Sequence, residues 1–358
     1  MKKEVKEGYL SPHHLSPKTI FKKEELNMER EKKEGLSRRG FLKAAGAIGA
    51  VAVAQKAMAQ MPTLVAANPL VGTIDMHVHA GPDTASRSVN DFELTQKAKE
   101  MGMRGVVTKN HEFITNDRAY LVRQIIPGIE VFGGITLNES VGGINPEAVD
   151  MMIKFTGGCG KIVWLPTHGS ANHKFFFTKK PDAGGIRVID ASGNVIPKLR
   201  EVLKLVAKAD IIFATGHVSA QEVLASVKAA KQEGVRKILV THGMQSPGEL
   251  TIDDLKRCVE AGAFIEHCYL TTLMGPQAAL GWMRGWKNVS IDEFAKAIKE
   301  VGAQNTVIAT DLGQFMNPTP ADGMKEFIMG LMSKGITQEQ INWMAKKNPA
   351  RLLGLEAL

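Results

Sequence analysis

The stretch IDMHVHAGPD, residues 74–83, sets two imidazoles two residues apart in an apolar run that stops at Gly81-Pro82. In an extended strand the side chains at i and i+2 leave the same face roughly 6 to 7 Å apart. His77 and His79 can therefore converge on one ligand, a spacing suited to a metal ion. A surface pair or two satisfied core imidazoles would give the same local pattern, so the surrounding fold has to decide between them.

Outward from this stretch, short β-rich apolar runs alternate with amphipathic segments. Strands are expected at 72–79, 104–111, 129–138, 160–168, 210–217, 236–243, 263–270 and 305–313. Helices are expected at 87–102, 117–126, 145–155, 196–208, 219–233, 251–261 and 290–301, several opening on a capping residue and an acidic first turn, as in SIDEF and TIDDL. Strict strand–helix alternation implies parallel strands joined by crossover helices. Eight such units predict an α/β fold of the (β/α)8 TIM-barrel type, with an open doubly wound sheet as the second choice. HVHAGPD lacks the GxGxxG spacing of a dinucleotide-binding turn. Two connections are long: 169–198, with three consecutive Phe, and 271–288, with two Trp. Both leave the carboxyl ends of strands, where barrel active sites lie, and are candidate lids or contact surfaces for a homo-oligomer.

Eight histidines follow residue 60. His77, His79, His111, His168, His217, His242 and His267 fall at or near the carboxyl end of an expected strand, and His173 lies just beyond one. A barrel gathers all those ends around one mouth. Asp311, ending the eighth strand in ATDLG, would sit beside strand one. His77, His79, His217, His242 and Asp311 offer borderline nitrogen and hard oxygen donors, a set that suits zinc, with manganese or iron as alternatives.

The ordered set of HxH at His77/His79, single His217 and His242 on strands five and six, and Asp311 on strand eight resembles the amidohydrolase superfamily. The ending NPARLLGL, 348–355, is similar to that family's closing helix, and the likeness is nearest to its poorly characterised, TatD-like branches. The resemblance implies a metal-dependent hydrolase with one or two ions, His77, His79, His217, His242 and Asp311 as ligands, and Asp311 and His242 as catalytic groups. Binuclear members carry a carbamylated lysine or a glutamate on strand four. KIVWLPTH has no acidic residue there, only Lys161 at its start. Lys109 or Glu266 could stand in as a bridge. The preferred reading gives Lys109, with His111, His168 and His267, to binding a small polar or anionic substrate, and gives Glu266 and Asp75 to orienting ligand imidazoles. Deamination or decarboxylation could use the same site, and an exported, non-catalytic metal- or solute-binding protein is a further reading.

The amino terminus is compositionally separate. Residues 1–36 are charged and lack apolar periodicity, which reads as disorder. SRRGFLKAAGAIGAVAVAQKAMAQ resembles a twin-arginine export signal spanning 37–59, with Ala57 and Ala59 placing cleavage before Gln60. The mature barrel would then be 60–358, periplasmic or extracellular, with the export machinery as a partner. Residues 1–59 hold 13 of the 45 basic and 7 of the 37 acidic residues, leaving 32 and 30 for the rest. The body is nearly neutral, which argues against nucleic acid as a partner. Three cysteines without a CxxC spacing do not make a disulfide framework.

Overall fold

The computed structural model describes residues 68–356; the expected amino-terminal extension and export segment lie outside the described residues. Eight strands form one parallel sheet in chain order: β1 (Ile74–Val78), β2 (Gly105–Thr108), β3 (Glu130–Thr136), β4 (Gly160–Trp164), β5 (Ile212–Ala214), β6 (Ile238–Val240), β7 (Ala263–Cys268) and β8 (Thr306–Ala309). The last strand meets the first just beyond the ladder proper. The Asp311 N–H donates to the His77 carbonyl at 2.8 Å, and the His79 N–H to the Leu312 carbonyl at 2.8 Å. The fold is the expected TIM-type barrel.

The helices between strands are α1 (Asp91–Glu100), α2 (Asn116–Ile125), α3 (Pro146–Lys154), α4 (Ala171–Thr178), α5 (Pro197–Ala209), α6 (Ala220–Gln232), α7 (Ile252–Glu260) and α8 (Ile291–Val301). After β8 come α9 (Pro320–Ser333), α10 (Gln338–Asn342) and α11 (Asn348–Leu353). Local chemistry sets their starts. Asn90, Ser219, Thr251 and Ser290 each accept a hydrogen bond from the N3 amide while Glu93, Glu222, Asp254 and Glu293 reach back, closing capping boxes. The Asn90 cap explains why α1 begins at Asp91 and not at the expected Arg87.

One inward cluster draws on all eight strands, including Ile74, Val107, Phe132, Trp164, Ile212, Leu239, Phe264 and Val307. Leu352 and Leu353 of α11 join it, and the Arg351 guanidinium lies 5.6 Å over the Phe264 ring near the start of β7. The alternate residues, such as Val106, Val131, Phe213 and Ile308, pack outward under the helices. Each buried side chain of this size contributes about 2 kcal/mol of hydrophobic stabilisation. The barrel is thus filled toward one end by apolar side chains, and its clustered histidines lie at the other.

Candidate metal centre and pocket

β1 does not run as a plain alternating strand, because its register against β2 slips between Asp75 and Val78. His77 lies within that irregularity and His79 just after it, their ring centroids 5.4 Å apart. Asp311 lies just past β8 with φ +54, and His242 just past β6 with φ +29. Left-handed backbone in residues other than glycine is a strained state that concentrates at functional sites.

Asp311 Oδ1 lies 3.1 Å from His77 Nε2 and 3.0 Å from His79 Nε2. On its other side the His77 ring places Nδ1 3.1 Å from Glu266 Oε2, an oxygen that also accepts the His242 N–H at 3.2 Å. Glu266 therefore orients one imidazole and the backbone of another. The Lys109 Nζ is 3.1 Å from His77 Nε2 and 5.5 Å over the Trp164 ring, fully buried. Cys268, two residues after Glu266 on the same strand face, brings its Sγ to 3.8 Å from His77 Nδ1. His77, Cys268 and Asp311 form a group whose ligand atoms all lie within 4.8 Å of one another.

Burial opposes the charged form of His77, but the carboxylates of Asp311 and Glu266 outweigh it and push the ring up to about 9. Burial likewise works against an ionised Asp311, and the His77 and His79 rings hold it well below the usual carboxylate range regardless. The remaining imidazoles are pushed down, chiefly by burial: His79 and His173 to about 3, His168 and His242 to about 4, His111 and His217 well below their ordinary value. Neutral rings offer lone pairs. The buried His242 Nε2 and Glu266 Oε1 have no hydrogen-bond partner among the described residues. A buried anion between imidazole nitrogens, beside an orphaned imidazole nitrogen, fits a divalent cation.

Above this floor opens a cavity of about 570 Å³, lined by His79, His111, His168, His173, His217 and Asp311. These rings form a continuous band. His111 stacks on His168 with centroids 3.9 Å apart, and His217 lies 4.9 Å from His242. His173 Nδ1 sits 3.0 Å from His217 Nδ1, and His111 Nδ1 is held 2.8 Å from the Thr167 hydroxyl. The two long connections build the walls. α4 supplies His173 and Phe177, and the segment after β7 supplies Met274, Leu280, Trp282 and Trp286.

Three expected roles are not matched by position. His267 points away from the mouth and packs against Phe294 of α8, centroids 4.9 Å apart, because its strand neighbours Glu266 and Cys268 occupy the inward face. Lys109 lies beneath His77 and is not part of the cavity wall, so it does not reach a substrate there. Asp75 grips the β1–β8 seam: its carboxylate accepts the Thr310 N–H at 3.0 Å, the Thr310 hydroxyl at 2.5 Å and the His77 N–H at 3.2 Å. Burial raises Asp75 to about 7. Lys161 is likewise away from the centre, its Nζ 5.9 Å over the Phe132 ring, while Ile162 and Trp164 hold the inward positions of β4. His173, read only as lying just beyond a strand end, had no role assigned, and no motif pointed to Arg87, whose Nη2 lies 3.4 Å from His79 Nδ1.

The fold is shared with solved structures at low identity. An amidohydrolase from Pseudomonas aeruginosa superposes with a TM-score of 0.55 at 11% identity, covering 80% of this chain and 96% of its own. An organophosphorus hydrolase from Deinococcus radiodurans superposes with a TM-score of 0.53 at 17% identity, covering 80% and 94%. At such identities the likeness is one of architecture. No curated protein matches the chain. Residues 72–266, from the His77/His79 strand to Glu266, match the model of DUF6282, described as a family of unknown function, and with more than half its length matched the chain belongs to that family.

Proposed function

We propose that the protein is a metal-dependent hydrolase acting on an amide, ester, lactone or phosphoester bond. The observation that carries this reading is the approach of His77 Nε2 and His79 Nε2 to one carboxylate oxygen of Asp311, within 3.1 and 3.0 Å, under a cavity banded with neutral imidazoles. His77, His79 and Asp311 would hold the ion, with His217 and His242 completing the donor set; the mixture of nitrogen and oxygen suits zinc, and manganese or iron would also be accepted. A divalent ion held there supplies Lewis acidity and lowers the pKa of water toward about 7.

The chain's own groups do the rest. Asp311 is ionised at neutral pH, so its free oxygen can accept a proton from water at the cavity floor and return it to the leaving group. Glu266 keeps the proton of His77 on Nδ1 and so directs Nε2 toward Asp311. His111, His168 and His173 are placed to hydrogen-bond a substrate, and the apolar walls exclude bulk water.

Elemental analysis of protein purified without chelator is expected to find a divalent transition metal. Asp311→Asn is expected to retain an ion on its histidines while turnover drops by about 10²-fold or more. Metal-free protein, or near wild-type hydrolysis in the variant, would overturn the assignment.

A further inference from the structure

The polar side chains in the cavity wall, apart from the imidazoles, are largely committed to the protein itself. The Arg87 guanidinium, the wall's one Lys or Arg side chain among the described residues, is clamped by Asp83, with Nε at 2.8 Å and Nη2 at 2.7 Å from the same carboxylate oxygen. The Gln245 side-chain oxygen accepts the Thr271 hydroxyl at 2.6 Å, and the Gln314 amide donates to the Asp311 carbonyl at 2.7 Å. Lys109 is sealed below. What faces the opening is aromatic and aliphatic, and three of its rings stay well exposed: Phe177 at 46%, Trp282 at 45% and Phe315 at 57%. They come from three different segments, which makes a shared ligand surface the economical explanation.

We propose that the site takes a neutral substrate whose scissile group is attached to an aromatic or bulky alkyl body, and that it discriminates against molecules carrying an ionised carboxylate or phosphate group. The body lies against Phe177, Trp282 and Phe315 while the reacting group reaches Asp311. An anionic tail would lose its hydration against these rings and find Arg87 already neutralised by Asp83. The proposal rests on the hydrolase reading only for which end of the ligand reacts.

The test uses two probes of nearly equal shape and different charge, neither with a bond to hydrolyse: 4-phenylbutan-2-one and 3-phenylpropanoate. Calorimetric titration of the wild-type protein, with its metal content measured in parallel, is expected to show the ketone binding about tenfold or more tightly than the acid. Trp282→Ala and Phe315→Ala, both exposed enough to leave the fold intact, are expected to weaken the ketone by about threefold to tenfold each. Tighter binding of the acid, lost in Arg87→Gln, would replace the proposal with an anion site. Failure of the ketone to bind metal-loaded protein, or unchanged ketone affinity in both alanine variants, would also overturn it. Preferential ketone binding by protein that holds no metal and hydrolyses nothing would sink the hydrolase reading and leave the apolar substrate class standing.

Discussion

His267 has two buried ring nitrogens with no partner, and burial lowers it to about 4 from an ordinary 6.5. Above about pH 6.5 the ring is neutral in folded and unfolded chain alike, and its full contribution to stability is present. As pH falls from about 6.5 to about 4 the unfolded chain takes up a proton that the folded chain refuses, and stability declines by an amount on the order of 3 kcal/mol. His267→Leu is therefore expected to be more stable than wild type near pH 5 and to show a smaller loss between neutral and mildly acid pH, measured by urea denaturation at both. An unchanged loss would mean that His267 is protonated at no cost. The same residue shows where sequence reading fails at this scale. AFIEHC alternates, and once Phe264 and Glu266 are inward His267 must be outward; proximity to a strand end does not fix a face. His77 and His79, by contrast, were legible from their spacing, with Val78 packed outward between them and both rings meeting Asp311; the register slip earlier in β1 was not. Lys109 was legible as an inward residue, but its depth beneath His77 depends on packing that no motif encodes.

The seam between β1 and β8 depends on backbone that only glycine tolerates. Gly313 has φ +122, and a Cβ there would fall 1.6 Å from the His79 carbonyl oxygen. Gly313→Ala is expected to cost several kcal/mol, roughly 3 or more, and to reduce the yield of soluble protein, read by thermal melting. A melting temperature like that of wild type would show the seam to be compliant. Among the helices, several with a cap and an amphipathic stripe were readable in advance; SIDEF and TIDDL, read as an N-cap with an acidic first turn, each close a capping box. α4 was not foreseen, because ANHKFFFT leaves Phe175 and Phe177 largely exposed and so lacks a buried apolar stripe. Its start is set instead by Ser170, whose hydroxyl accepts the His173 N–H at 3.0 Å and donates to the His217 carbonyl at 3.0 Å. That hydroxyl ties the β4–β5 connection to the end of β5, and a hydroxyl between two distant segments leaves no periodic trace in sequence.

At the scale of the molecule, strand number, order and barrel type followed from alternation alone, since eight parallel units have few other ways to bury both faces of the sheet. Wall chemistry did not, because it depends on which side chains the long connections present. We propose that residues 37–59 direct export by the twin-arginine route and are then removed, leaving the nearly neutral body in the periplasm or outside the cell. Amino-terminal sequencing of the protein recovered from the periplasm is expected to begin near Gln60, and an intact amino terminus on cytoplasmic protein would rule this out. The position of Asp311 has a further consequence. Its amide closes the ring by bonding to the residue that bears the first imidazole, and its carboxylate meets that same imidazole. A chain cut short before residue 311 would have neither a complete circle nor the carboxylate that faces both imidazoles.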